Sequence, residues 1–324
     1  MKALLFEKYG RPEEVLRIDE IVNPSPSAKQ VLVKIRATSV NDYDWSLVRG
    51  KPFLYRLMFG FSKPKNPIPG MEVSGVVEAV GEGVESLAIG DEVFGDTSDH
   101  GFGTFAEYIC LHENSLIKKP SEISFEDAAA ISHAGGLAVQ ALNNFGNLVD
   151  GQSVLINGGG GGVGTIALQL AKLQNCHVTG VDTGKKLEMM KSLGFDEVLD
   201  YKKHDFTKAG RQFDFILDCK SNRFPLSYLK SLKPKGRYVS IGGELSTLFA
   251  LLFWGKLIGL FTKKRLHILA LKSNKGLEPV IHFMKQGKLK CVIDGPHKFE
   301  ESARLIQYFG EGKHSGKVVI EISN

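Results

Sequence analysis

The stretch INGGGGGVG at 156–164 constrains this chain more than any other. It follows the β-branched run SVLIN and precedes GTIALQLAKLQ, whose apolar residues recur at helical spacing. Gly159, Gly161 and Gly164 satisfy the pattern G-x-G-x-x-G. In that pattern the first glycine allows a tight turn, the second lets backbone approach a pyrophosphate, and the third lets the helix pack close to the strand. Gly162 and Val163 open the helix, where unpaired N–H groups and the helix dipole favour an anion. The spacing alone is a weak signal. A strand before it, a helix after it, and Asp182 closing the next strand together read as a dinucleotide site.

The adenosine end of that site carries two opposed signals. Asp182 would accept hydrogen bonds from ribose hydroxyls, which favours NAD. Lys185 and Lys186 follow in the same loop and would pair with the 2′-phosphate of NADP. Tyr201, ending EVLDY, joins the cofactor-binding set. Gly242 and Gly243 end the strand GRYVSIGG, and a side chain there would collide with a nicotinamide.

From Ser153 strands and helices alternate, which predicts βαβ units and a parallel sheet with helices on both faces. The first ~120 residues are different. VLVKIRATSV, MEVSGVVEAVG, DEVFG and FAEYICL are short strand-like runs between Gly, Pro and Asn turns. Ser124 caps an Ala-rich helical segment, SFEDAAAISHAGGLAVQAL. The chain thus divides into a β-rich domain at 1–123, completed by 266–324, and a dinucleotide-binding α/β domain at 124–265. A length of 324 residues suits two domains at roughly 150 each.

The net charge of +5 is spread along the chain, with short clusters such as Lys263-Lys264-Arg265. It argues for an anionic cofactor as well as for nucleic acid, and no nucleic-acid partner is expected. Cys110, Cys176, Cys219 and Cys291 form no C-x-x-C and read as reduced, mostly buried thiols of a cytoplasmic protein. Residues 248–261, LFALLFWGKLIGLF, are almost wholly apolar but fall short of the ~20 residues of a membrane span. They fit a helix packed over a pocket or a subunit. They equally fit a surface that touches membrane or takes a lipophilic substrate.

The phrases GMEVSGVVEAVGEGV, GDEVFG, FAEY, SLGFDEVLDY and GKVVIEI, with the glycine loop, resemble the medium-chain dehydrogenase/reductase superfamily along essentially the whole chain. The resemblance implies a GroES-like β domain and an inserted Rossmann domain. In the superfamily's zinc enzymes three residues bind catalytic zinc, and here those positions fall on Asn41, Met71 and His133. The loop of four structural cysteines has no counterpart. An amide, a thioether and one imidazole are a poor set for zinc, even with Glu72 beside them, so no metal is expected.

The zinc-free branch that the chain resembles is the quinone oxidoreductase-like group. It implies direct hydride transfer from a nicotinamide to a small hydrophobic quinone or α,β-unsaturated carbonyl, usually with NADPH, in what is often a homodimer. Lys185 matches a cationic residue that such enzymes use for the 2′-phosphate, which inclines the expectation to NADP(H), with NAD(H) open. Leu137 and Lys220 stand where the group has Thr and Gly. In the zinc relatives an Asp after the first ligand pairs with a basic residue near the C-terminus that also touches the pyrophosphate, which implies Asp44 and Lys317. Charge that develops on a substrate oxygen needs a hydrogen-bond donor. Asn41, Tyr43 and His133 are the candidates, with Trp45 and Phe53 as an apolar wall. A metal-free alcohol or carbonyl oxidoreductase using NAD(H), and a non-catalytic nucleotide-binding or membrane-associated protein, are the competing readings.

Overall fold

The computed structural model describes residues 1–221, 223–243 and 245–322. They form two compact units, residues 1–133 with 273–275 and 291–324, and residues 134–272 with 276–290. The division falls inside the helix Phe125–Ala141 rather than ahead of it, and the segments 266–272 and 276–290 go with the second unit. Both placements differ from the boundaries expected from composition. Ser124 caps that helix as expected, its hydroxyl accepting from the Asp127 N–H at 3.0 Å.

The second unit is built on a six-stranded parallel sheet. Its spatial order is Glu197–Asp200, His177–Asp182, Ser153–Asn157, Phe213–Asp218, Leu232–Ser240 and Arg265–Ile268. Counted along the chain this is 3-2-1-4-5-6, the doubly wound arrangement in which ligands bind where the order reverses, at the carboxyl ends of the strands. Ser153–Asn157 lies at that reversal and runs directly into the glycine loop. Its near-continuous apolar sequence follows from burial on both faces. The helix Gly162–Lys172 returns over the sheet, burying Ile166, Ala167, Leu168 and Ala171.

The first unit is a seven-stranded, mostly antiparallel sheet joined by a two-stranded ribbon of Lys2–Leu5 and Arg17–Glu20. Gln30–Ser39 is central, and its outward residues alternate with buried ones until Ala37, after which every side chain is buried. Two neighbours matter for function. Glu72–Val80 pairs with it on one side, and the C-terminal strand Lys317–Glu321 pairs with it on the other, with Val319 opposite Ser39. The Val40 N–H donates to the Val318 carbonyl at 3.0 Å. That register carries Lys317 to Asn41, 276 residues earlier in the chain. As residues, Cys176 is buried and Cys110, Cys219 and Cys291 are half-buried, and burial pushes up the pKa of all four thiols.

Candidate functional site

At the glycine loop the backbone conformations reassign two roles. The left-handed turn is at Gly158 (φ 87°), not at Gly159. Gly159 is small for a packing reason: a Cβ there would come within 2.8 Å of Met190 Cε and 3.0 Å of Phe195 Cζ. Gly164 behaves as the spacing predicts. A Cβ on it would fall 2.7 Å from Gly159 Cα and against the Gly158 carbonyl, so only glycine lets the helix sit this close to the loop. Gly161 has open space, with only the Gly158 carbonyl within reach of a Cβ, at 3.6 Å. It caps the helix that Gly162, Val163 and Gly164 open, and the first N–H groups of such a helix have no intrahelical acceptor. An open glycine next to a free helix end is the feature that fits a dinucleotide pyrophosphate.

Asp182 is buried and its oxygens are occupied from within. One accepts from the Gly160 N–H at 3.0 Å, the other from the Thr183 N–H at 2.8 Å. Lys186, buried beside it, places its ammonium 3.5 Å away. The carboxylate therefore fixes the glycine loop, and its charge is answered by Lys186. Charge alone left Lys185 and Lys186 open and only resemblance favoured Lys185; the fold separates them. Lys185 is exposed in the turn Gly184–Lys186, and Lys186 points inward. Tyr201 is partly exposed just past the neighbouring strand, its N–H donating to the Asp182 carbonyl at 3.2 Å. Gly242 has no atom near an added Cβ, whereas Gly243 holds φ 131° and has Ser221 at 2.5 Å. Lys220 is exposed, and its stem lies 3.1 Å from where a Gly158 side chain would begin.

The positions inherited from zinc ligation lie together in the first unit. Glu72 is fully buried and is the centre of the cluster. One of its oxygens accepts from the Ser39 hydroxyl and the Asn41 Nδ2, both at 2.5 Å, and meets the Lys317 ammonium in a direct ion pair. The other accepts from the Ser132 hydroxyl at 3.1 Å and the His133 backbone N–H at 2.7 Å. Asn41 in turn accepts from Lys317 Nζ at 2.6 Å. A buried charge needs a partner and satisfied lone pairs, and here five groups supply them.

This changes the role of Asn41. Its Nδ2 faces Glu72 and the Ser39 carbonyl, its Oδ1 holds Lys317, and the residue is buried, so the amide is engaged within the protein instead of offering a hydrogen to a substrate. Lys317 takes Glu72 as its ion-pair partner, not Asp44. Asp44 accepts from the backbone N–H groups of Asn41 and Gly70, each at 2.8 Å, and fixes the start of the helix Asp42–Arg49. Complete burial pushes its carboxyl up to about 7, against the pull of those two N–H groups and of Lys317.

His133 and Tyr43 remain accessible. His133 Nδ1 lies 2.7 Å from the fully buried Asp96. Burial opposes the charge on Asp96, but the hydrogen bond and charge of His133 outweigh it and hold the carboxyl below its ordinary value. A carboxylate accepts, which places the ring proton on Nδ1 and leaves Nε2 for exchange. Tyr43 stands edge-on to His133 with ring centroids 6.3 Å apart. Burial, with the charge of Asp96 second, raises its hydroxyl pKa, which makes it a weaker acid than a free tyrosine. The aromatic neighbours of Tyr43 are Tyr55 and Phe102, and Phe59 packs edge-on against Phe102. Trp45 is not part of this wall. It lies under Arg49 and against Gly310, where any side chain would strike the indole. Phe53 is exposed and pairs with Phe61.

Asp96 was the functional side chain sequence reasoning passed over. A carboxylate that ends an apolar strand, as Asp96 ends EVFGD, is the same signal that singled out Asp182. Among the described residues no group of three or more His, Cys, Asp or Glu side chains is placed to hold a metal ion. The donors at the old ligand positions do not fit zinc: Asn41 is engaged at both ends, Glu72 is neutralised by Lys317, and Met71 offers a buried thioether.

Residues 27–121 match the family model of the alcohol dehydrogenase GroES-like domain, and residues 193–320 match that of the zinc-binding dehydrogenases. The chain is 33% identical to the chloroplast envelope quinone oxidoreductase homolog of Arabidopsis thaliana, over 99% of this chain and 98% of the relative. It is 29% identical to the chloroplastic NADPH-dependent alkenal/one oxidoreductase of the same plant, over 99% of this chain and 79% of that protein. The solved quinone oxidoreductase of Coxiella burnetii superposes with a TM-score of 0.89 at 27% identity, covering 100% of this chain and 99% of that one.

Proposed function

The chain belongs to the medium-chain dehydrogenase/reductase superfamily, in its quinone oxidoreductase-like branch, and on that footing we propose that this oxidoreductase is a zinc-independent, NADPH-preferring reductase of quinones or α,β-unsaturated carbonyls. The observation that carries the reading is the closed cluster around Glu72. A carboxylate with five internal donors and an amide with both ends engaged support a site that works without a Lewis acid. A substrate whose charge delocalises onto a conjugated oxygen needs only a hydrogen-bond donor there.

The glycine loop and helix end would hold the pyrophosphate through backbone N–H groups, and Lys185 would meet a 2′-phosphate. Asp182 would not repel that phosphate strongly, because Lys186 already answers its charge. When bound, the nicotinamide supplies a hydride equivalent. His133 holds the proton that the reduced substrate must gain, at Nε2, with its ring oriented by Asp96 through Nδ1. Tyr43, edge-on to His133, is the second donor and gives a hydrogen bond without ionising.

The test is steady-state turnover with NADPH and NADH against a quinone, an enone, a ketone and an alcohol, with and without a chelator. NADPH-driven reduction of the quinone or enone, unchanged by chelation, is the expected outcome. Turnover confined to simple alcohols with NAD⁺, or abolished by chelation and restored by zinc, would overturn the proposal. Asp96→Asn should lower turnover, because an amide can donate as well as accept at Nδ1 and no longer fixes which ring nitrogen carries the proton.

A further inference from the structure

The apolar run at 248–261 forms part of the helix Leu245–Thr262. Its inner face is accounted for: Leu251 and Ile258 are buried in the core that contains Tyr238 and Leu266, against the strand Arg265–Ile268. Its outer face is apolar too. Phe249, Leu252, Phe253, Leu257 and Leu260 recur at three- and four-residue spacing and are exposed, Phe249 to 68% and Leu260 to 78%. Trp254 packs edge-on to Phe253, and Phe261 ends the stripe at 85% exposure. A helix that is apolar all round is ordinarily covered all round, so this face calls for an occupant.

The charge around the stripe selects that occupant. No Asp or Glu occurs between Glu244 and Glu278. The helix runs straight into Lys263, Lys264 and Arg265, of which Lys263 and Arg265 are exposed. A second copy docked on this face would bring two sets of these cations to one interface with no acid from the segment to answer them. An anionic lipid surface would answer them, while its acyl boundary takes the Phe and Leu side chains. Among the described residues no helix is long and apolar enough to cross a membrane, so the helix would lie in the interface.

We propose that the outer face of Leu245–Thr262, with Lys263 and Arg265, docks the protein on anionic phospholipid bilayers. The proposal is independent of the substrate reading. It is read by co-sedimentation of the full chain with phosphatidylcholine vesicles and with vesicles containing roughly one-third phosphatidylserine, with no nucleotide or substrate present. Binding should favour the anionic vesicles and fall as salt rises. Leu260→Glu/Phe261→Glu should weaken binding about tenfold or more, and Lys263→Glu/Arg265→Glu about as much. Both variants should keep the wild-type melting temperature and turnover, which separates lost docking from lost folding. No vesicle binding, equal binding to neutral and anionic vesicles, or a stable dimer in solution that the same substitutions dissociate would each overturn the proposal.

Discussion

Asp182 and Glu72 are both buried carboxylates, one in each unit, and each accepts backbone N–H bonds while facing one lysine. They serve different kinds of site. Asp182 stands behind a cradle whose ligand-facing surface is backbone, so its work is to hold the loop in shape. Glu72 sits at the centre of a pocket whose ligands in zinc relatives are side chains, and it closes that pocket by engaging Asn41, Ser39, Ser132 and Lys317. The comparison teaches that a site whose donors are backbone N–H groups is set by where glycines stand in the sequence, whereas one built from side chains is set by which of them the fold brings together.

The largest effect that can break this comparison is on stability. Lys317→Met leaves Glu72 buried and unpaired, and such losses cost about 3–5 kcal/mol. Unfolding of the first unit is followed through Trp45 in a Trp254→Phe background, since the chain has two tryptophans. Adding Glu72→Gln to Lys317→Met should restore much of the loss. If single and double variants lose the same, the ion pair is not what holds the pocket closed.

In the cradle the corresponding substitution should act on the ligand and spare the fold. Gly161→Val meets only the Gly158 carbonyl in the free protein, so the melting temperature should stay near wild type. Nucleotide affinity, read by titration calorimetry, should drop roughly 100-fold or more, about 3 kcal/mol, because the branched side chain occupies the pyrophosphate's approach. Gly164→Val should instead unfold the loop, since its Cβ has no room. Equal behaviour of the two variants would show that the loop is built by packing alone.

How much of each region was legible follows from the same contrast. Glycine spacing reports backbone geometry directly, so the strand, loop, helix and following strand could be read from 153–182, and only the turn moved, from Gly159 to Gly158. The pocket gathers side chains from 39–44, 72, 96, 132–133 and 317. Resemblance marked the positions of Asn41, Met71 and His133, but no spacing says that Lys317 will choose Glu72 over Asp44. That choice depends on the register of the last strand against Gln30–Ser39. Asp96 was hidden for the same reason: its partner arrives on a helix that begins 29 residues later in the chain.

A pH dependence sharpens the pocket side. The folded Asp44 carboxyl is pushed up to about 7 by burial, well above an ordinary aspartate at 3.8. The folded state therefore holds this proton more tightly than the unfolded chain does. The resulting stability is fully present below the unfolded value and is lost as pH rises through about 7. Against Asp44→Asn, which does not titrate, the wild type should gain on the order of 2 kcal/mol on going from pH 8 to pH 5. Denaturant melts at both pH values read it. A difference independent of pH would mean that the N–H groups of Asn41 and Gly70 keep Asp44 ionised throughout.

The smallest effect decides the cofactor end of the cradle. If Asp182 read the ribose, Asp182→Asn would weaken NADH and NADPH alike, and Lys185→Ala would change little. The geometry points the other way. Both Asp182 oxygens already accept from the loop, and Lys186 answers its charge from inside, while Lys185 is exposed in the same turn. Lys185→Ala should weaken NADPH roughly fivefold to twentyfold while NADH stays within about twofold, a modest loss because an exposed ammonium is screened by solvent. The gap should narrow at high salt, where a surface charge on a phosphate counts for less. Lys186→Met should act on both cofactors together, because removing that cation leaves Asp182 buried and uncompensated beneath the loop. Dissociation constants for the two cofactors on the two variants place the 2′-phosphate on Lys185 if only its loss discriminates between them. If Lys185→Ala weakens both equally, the residue steadies the turn Gly184–Lys186, and any preference for NADPH has to come from another cation at this edge, for which Lys202 and Lys203, exposed just beyond Tyr201, are the next to replace.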